Sequence, residues 1–208
     1  MCRSPSDPSS ASPKLSLQQE QLTASFSRSL ERHRAVFATV EEHLAQMTDL
    51  AHRCMASLNQ GGKIIWAGNG GSAADAQHLA AEFMVRYSKE RGPLASIALT
   101  TDSSILTAHS NDYDFSTVFA RQVQGLARAE DVMIGLTTSG NSDNINAALL
   151  AANELGVYTV ALTGRDGGSV KDIAQLPVVI KSDETARIQE AHMFLGHWLC
   201  EAIDLASE

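Results

Sequence analysis

The chain reads as an α/β protein: a doubly wound, mostly parallel five-stranded sheet flanked by helices and preceded by a long helical segment. Three observations predict this. Five short runs rich in β-branched residues, KIIWAG, SIALTT, DVMIGLTT, VYTVALTG and LPVVIKS, recur after residue 62. Each leads through small polar residues into a helical pattern, the alternation expected of βαβ units whose parallel sheet is covered on both faces. The length, 208 residues, suffices for one sizeable core and is short for two.

The elements follow in chain order. The opening MCRSPSDPSSASPK holds five serines and three prolines and has almost nothing to bury, so residues 1–15 are expected to form a disordered tail. Residues 16–60 switch to helical spacing: Phe26, Leu30, Phe37, Val40, Leu44, Met47, Ala51, Cys54 and Leu58 step by three and four, with His33 interrupting an otherwise apolar seam. About forty residues exceed an ordinary globular helix, which predicts a break near Thr48 and Asp49, packing on another subunit, or both. This segment is assigned to oligomerisation, with a pair of core helices as the alternative, and residues 61–208 to the α/β domain.

Composition narrows the function. A formal charge of -8 with thinly spread lysine and arginine repels a phosphate backbone, so direct nucleic-acid binding is not expected. No apolar run approaches a membrane span and no signal-peptide core is apparent, so the chain is expected to be soluble and cytoplasmic. Cys2, Cys54 and Cys200 lack C-x-x-C spacing and read as reduced thiols.

In sheets of this class ligands bind outside the carboxyl ends of the strands. Gly68-Asn69-Gly70-Gly71-Ser72-Ala73, after the first strand, formally satisfies a dinucleotide fingerprint. The acidic residue that pattern requires about 20 residues on is missing, because the first acid after the next strand is Asp102, 34 positions past Gly68. No Gly-Lys-Ser/Thr follows either, which excludes a P-loop. What remains is a neutral anion cradle of backbone amides at a helix start, with Ser72 as cap or hydroxyl donor. A second loop, Thr137-Thr138-Ser139-Gly140-Asn141-Ser142, follows the third strand and offers four hydroxyls with no lysine or arginine. Two such loops suit a terminal sugar phosphate.

The helix launched by the glycine loop carries His78 and Glu82 at i and i+4, on one face. Near the end of the chain ARIQEAHMFLGHWLCEAI places Gln189, His192 and His197 on a helical segment.

The order of AGNGGSAADAQHLAAEF, SNDYDF, TTSGNS, LTGRDGG and ARIQEAHMFLGH closely resembles the sugar isomerase (SIS) domain of bacterial phosphoheptose isomerases, from about residue 20 to the end. The resemblance implies a flavodoxin-like SIS fold and conversion of D-sedoheptulose 7-phosphate to D-glycero-D-manno-heptose 7-phosphate by enediol-type proton transfer. It implies one Zn²⁺ per site, with His78, Glu82, Gln189 and His197 as ligands. It carries substrate contacts onto Asn69, Gly70, Gly71, Ser72, His78, Glu82, Asn111, Asp112, Thr137, Thr138, Ser139, Ser142 and Gln189. A homotetramer with active sites near subunit interfaces is implied as well. One departure is that a loop usually beginning Ser-Thr-Ser begins Thr137-Thr138-Ser139, which keeps the hydroxyls and adds a methyl.

Within that reading Glu82 is the proton-transfer base and His197 its acid/base partner. Gln189 and His197 lie eight residues apart, about 12 Å of rise, at the limit of reach toward one ion. Either Gln189 sits at an unwound helix start or the two serve sites of different subunits, and the shared interfacial site is the expectation. Two alternatives stand beside this function. One is a non-catalytic SIS adapter binding a replication initiator protein, expected to lack the counterparts of Glu82 and His197. The other is an isomerase of a different sugar phosphate.

Overall fold

The computed structural model describes residues 13–206, with side chains from Leu17 onward; the tail assigned to residues 1–15 lies outside it except for its last three residues. Those three belong to the first helix, α1 (Pro13–Phe37), which therefore starts inside the segment assigned to the tail. Proline is well suited to a first turn, where its missing N–H has no helical partner.

The break in the helical segment falls ten residues before the expected position. After α1 the chain makes a turn and a short 3-10 segment, Val40–His43, and then resumes as α2 (Leu44–Asn59). Thr39 supplies a local cause: its Oγ1 donates to the Val36 carbonyl at 2.8 Å, a bond that competes with helical propagation among Val36, Thr39 and Val40. Thr48, by contrast, sits inside α2 with its hydroxyl bonded to the Leu44 carbonyl at 2.8 Å.

All five predicted strands form: β1 (Ile64–Gly68), β2 (Ser96–Ala98), β3 (Val132–Thr137), β4 (Tyr158–Gly164) and β5 (Leu176–Ile180). Every pairing is parallel and the order is β2-β1-β3-β4-β5. Between them run α3 (Gly71–Met84), α4 (Ser103–Asp112), α5 (Val118–Leu126) and α6 (Asp143–Glu154), and α7 (Thr185–Ala206) closes the described chain. Alternation along each strand divides the interior into two layers. Ile64, Trp66, Ile134 and Leu162 pack with α2, α3 and α7, while Ile65, Ala67, Met133 and Ala161 pack with α5 and α6.

Helix α1 lies along α7. Arg32 Nε pairs with Glu184 at 2.9 Å, His33 Nδ1 meets Glu190 at 2.8 Å, and the His33 ring stacks on Phe37 with centroids 4.1 Å apart. His33 thus interrupts the apolar seam because it serves a polar contact. Leu17, Leu22 and Phe26 on the same helix stay exposed, Phe26 at 73%. No helix among the described residues is long and apolar enough to cross a membrane. Cys54 and Cys200 are free, buried thiols; burial pushes the thiol of Cys200 up to about 12 and that of Cys54 higher still, which leaves both protonated and inert.

Candidate active site

The strand order reverses direction between β1 and β3, and in a sheet of this order the crevice outside that switch point is where ligands bind. The two small-residue loops flank it. One joins β1 to α3 and the other joins β3 to α6. Gly70 is the N-cap of α3, at φ 55°, a conformation that glycine adopts at little cost. Ser72 is therefore not the cap but a buried residue of the first turn. At the second loop Gly140 has φ +70°, and a Cβ there would lie 2.1 Å from the Gly167 carbonyl oxygen, so the loop packs directly on the segment after β4. Val170 N–H donates to the Gly140 carbonyl at 2.9 Å, and Ser169 N–H to the Asn141 side chain at 3.0 Å, which brace the loop from outside.

Neither α3 nor α6 receives a side-chain capping bond, whereas α4, away from the switch point, is capped by Asp102. Uncapped amides at two helix starts, with the positive ends of both helix dipoles, give the crevice donors suited to an anion without a basic side chain, although Asp143 places a carboxylate in the first turn of α6. Thr137 and Ser142 share a hydroxyl hydrogen bond of 2.9 Å, and Ser139 Oγ accepts from Asn141 N–H at 3.2 Å. Thr138 stands half-buried between them.

Asn69 does something the sequence did not reveal. Its amide forms a reciprocal pair with the buried Asn144, Nδ2 to Oδ1 at 2.8 Å in both directions, which ties the first loop to the start of α6. The side chain is thus turned to its partner loop, and its role in the crevice is to hold the two cradles in register. Asn111 and Asp112, at the C-terminal end of α4, are exposed and bonded to each other at 2.8 Å. Among the described residues no hydrogen bond links them to the two loops.

Helices α3 and α7 lie side by side and deliver the titratable groups. His78 Nε2 and His197 Nε2 are hydrogen-bonded at 2.8 Å, and Glu82 Oε1 is 3.4 Å from the same His78 nitrogen. One of the two histidines donates and the other accepts. Tyr87, on the loop after α3, lies against His197 with ring centroids 5.6 Å apart.

Gln189 sits further toward the start of α7, over Gly71, and its Nε2 donates to Asp75 Oδ1 at 3.2 Å. Helix α7 is continuous from Thr185 to Ala206, so Gln189 is not at an unwound helix start. Asp75, which the sequence did not single out, is buried, and its second oxygen has no hydrogen-bond partner. Burial pushes its carboxyl above the usual range, against the opposing effects of the Gln189 hydrogen bond and the nearby His78 and His197. It fixes the Gln189 amide through the nitrogen and leaves the amide oxygen for another partner.

Among the described residues no group of three or more His, Cys, Asp or Glu side chains is arranged to hold a metal ion. The donor chemistry of His78, Glu82 and His197, two imidazoles and a carboxylate converging from two helices, nonetheless suits a divalent ion of zinc's type. Gln189, the fourth residue of the expected set, is held through its amide nitrogen by Asp75.

Below the cluster, the C-terminal turn of α3 is held by a buried ion pair. Arg91 Nε donates to Asp204 Oδ1 at 2.7 Å, with the two side chains 7% and 1% exposed. Asp204 also accepts from the N–H groups of Lys89 at 3.0 Å and Ser88 at 2.9 Å. Burial opposes ionisation, yet these amides and the guanidinium hold the carboxyl down at about 2.

Two uncapped helix starts beside a His/Glu/His cluster offer donors of the kind an anion requires, with proton-transfer groups at hand. The SIS domain family matches residues 26–164. The chain is 53% identical over 167 residues to phosphoheptose isomerase of Aquifex aeolicus, covering 80% of this chain and 87% of the relative. It is 53% identical over 184 residues to that of Solidesulfovibrio magneticus, covering 88% of each. Among solved structures, phosphoheptose isomerase GmhA from Neisseria gonorrhoeae superposes with TM-score 0.81 at 42% identity, over 90% of this chain and 99% of that one. A phosphoheptose isomerase from Francisella tularensis gives TM-score 0.82 at 33% identity, over 88% and 98%. The chain belongs to the phosphoheptose isomerase family of SIS-domain proteins.

Proposed function

We propose that the protein converts D-sedoheptulose 7-phosphate to D-glycero-D-manno-heptose 7-phosphate, in the cytoplasm, as a homotetramer. The observation that carries this reading is the placement of the His78, Glu82 and His197 cluster beside an anion cradle at the switch point, in a chain 53% identical to phosphoheptose isomerases. The cradle from Gly70 to Ser72 and from Thr137 to Ser142 takes the terminal phosphate through amides and hydroxyls. That leaves the carbonyl end of the extended sugar to reach the cluster.

The chemistry then needs little else. Glu82 takes the proton from C1 of the open-chain ketose, and the electron pair moves toward C2 to give a 1,2-enediol(ate). Glu82 returns the proton to C2 while His197 moves a proton between the two oxygens, and the aldose results. His78, Glu82, His197 and the free oxygen of Gln189 are the groups proposed to hold Zn²⁺, which when bound supplies Lewis-acid polarisation of the carbonyl and hydroxyl. The exposed apolar side chains of α1 support burial against another subunit, in accord with the tetramer and with sites near its interfaces.

The test is NMR of sedoheptulose 7-phosphate with metal-free and zinc-loaded protein. Conversion is expected in the loaded form, to fall by at least about tenfold after chelation, and to return with added Zn²⁺. Conversion unaffected by chelation would remove zinc from the reading. No conversion in either form, together with tight binding to a replication initiator, would establish the adapter alternative.

A further inference from the structure

We propose that Arg91 and Asp204 are positioning residues for the Glu82 and His197 pair, acting through the backbone of the base itself. Arg91 has four partners, the nearest in sequence being the Gly92 carbonyl, which its Nη1 meets at 3.1 Å. Its Nη2 donates to the carbonyl oxygen of Glu82 at 2.9 Å, its Nη1 to that of Phe83 at 2.9 Å, and its Nε to Asp204. The last carbonyls of a helix have no partner within it, and here the guanidinium supplies one at the residue whose side chain carries the proton. Asp204 lies seven residues, about two turns, beyond His197 on α7. One buried ion pair therefore joins the carbonyl of Glu82 to the helix of His197.

The same carboxylate organises the loop between them. By accepting from Ser88 and Lys89 it folds residues 85–92 back, so that Tyr87 of this loop meets the His197 ring. Leu94 N–H closes the return by bonding the Phe83 carbonyl at 3.1 Å. Base, acid/base partner and the ring beside it are thus referred to a single ionic junction.

Stability alone is a poor explanation for that junction, because a buried ion pair contributes little beyond what an apolar pair of similar volume would. A guanidinium fork aimed at two specified carbonyls is geometric, and lysine, a point charge, cannot reproduce it. A misplacement of about 1 Å at reacting groups costs on the order of 10²-fold in rate, so the junction acts on catalysis out of proportion to its distance from the substrate.

The inference rests on Glu82 being the proton-transfer group, and the experiment separates the two. Wild type, Arg91→Lys and Asp204→Asn are assayed with sedoheptulose 7-phosphate in zinc, at a temperature well below each unfolding midpoint. Conversion in D₂O is followed in parallel to read solvent deuterium at C2 of the product. Both variants are expected to lose about 10- to 100-fold in kcat with KM within about threefold, and to incorporate more solvent deuterium, since a displaced base returns the original proton less often. If Arg91→Lys does not fold, Asp204→Glu, which keeps the charge and shifts it by one methylene, is read in its place. An inactive wild type overturns the functional reading. An active wild type whose folded variants keep kcat within threefold and unchanged deuterium content overturns the positioning role alone.

Discussion

Replacing Glu82 by Gln is expected to lower turnover by about three to four orders of magnitude while sugar-phosphate affinity changes little. Glutamine fills the same volume on α3, and the phosphate cradle lies on other residues, so binding survives. The amide lacks the basicity to accept a proton from carbon. The proposed roles of Glu82 pull against each other, since a carboxylate bound to zinc is a weaker base than a free one. Measuring metal content together with rate separates them. Lost turnover with metal retained assigns Glu82 to proton transfer; lost turnover recovered by excess Zn²⁺ assigns it mainly to ligation. Activity that survives the substitution without extra metal would remove Glu82 as the base.

Much of this site was legible because it is written locally. Five β-branched runs ended by small polar residues define the strands, and loops at strand ends are where a doubly wound sheet binds its ligand. The i, i+4 spacing of His78 and Glu82 needs no tertiary knowledge. What stayed hidden depends on pairings across the chain. The pairing of Asn69 with Asn144, 75 residues away, has no mark in the sequence around either. Asp75 and Gln189 meet across 114 residues, and Arg91 and Asp204 across 113. No periodicity marks such partners. The position of the helical break was misplaced for a different reason: the apolar spacing continues through the break, where Thr39 Oγ1 bonds the Val36 carbonyl.

These hidden pairings share a purpose. Asn69 with Asn144 joins the two cradles, Asp75 with Gln189 joins α3 to α7 near the cradle, and Arg91 with Asp204 joins the same helices beyond the cluster. The crevice gains rigidity from polar junctions placed around it, while its own amides are left free for ligand. Preorganisation of that kind is what electrostatic catalysis requires, because donors that need not reorient cost nothing at the moment of reaction.

Acidification from pH 7 to pH 4 is expected to destabilise the fold by about 3 kcal/mol through His192 alone. This histidine is fully buried on α7, facing the end of β4, where its Nε2 donates to the Thr163 carbonyl at 3.0 Å. Its Nδ1 is buried with no partner, so a second proton would create an N–H with no acceptor. Burial therefore drives the imidazole down from 6.5 to about 4, only partly offset by the Thr163 carbonyl. The folded-state value of this base lies below the unfolded one. As pH falls through 6.5 the unfolded chain takes up a proton that the folded chain refuses, and stability drops until the folded form also titrates near 4. Asp75 works in the opposite direction, because its carboxyl is raised in the fold and so favours folding as pH falls. Urea unfolding of wild type and His192→Gln at pH 7, 5.5 and 4.5 isolates the histidine, since Asp75 and the remaining groups are common to both. Glutamine is expected to be the less stable at pH 7, by about 1 to 2 kcal/mol for an imperfect bond to Thr163, and to close that gap or reverse it by pH 4.5. A difference that stays constant across the three conditions would mean that His192 accepts its proton inside the fold. The same helix carries Gln189 and His197, so loss of its anchor on β4 is expected to reach the active site in the same pH window.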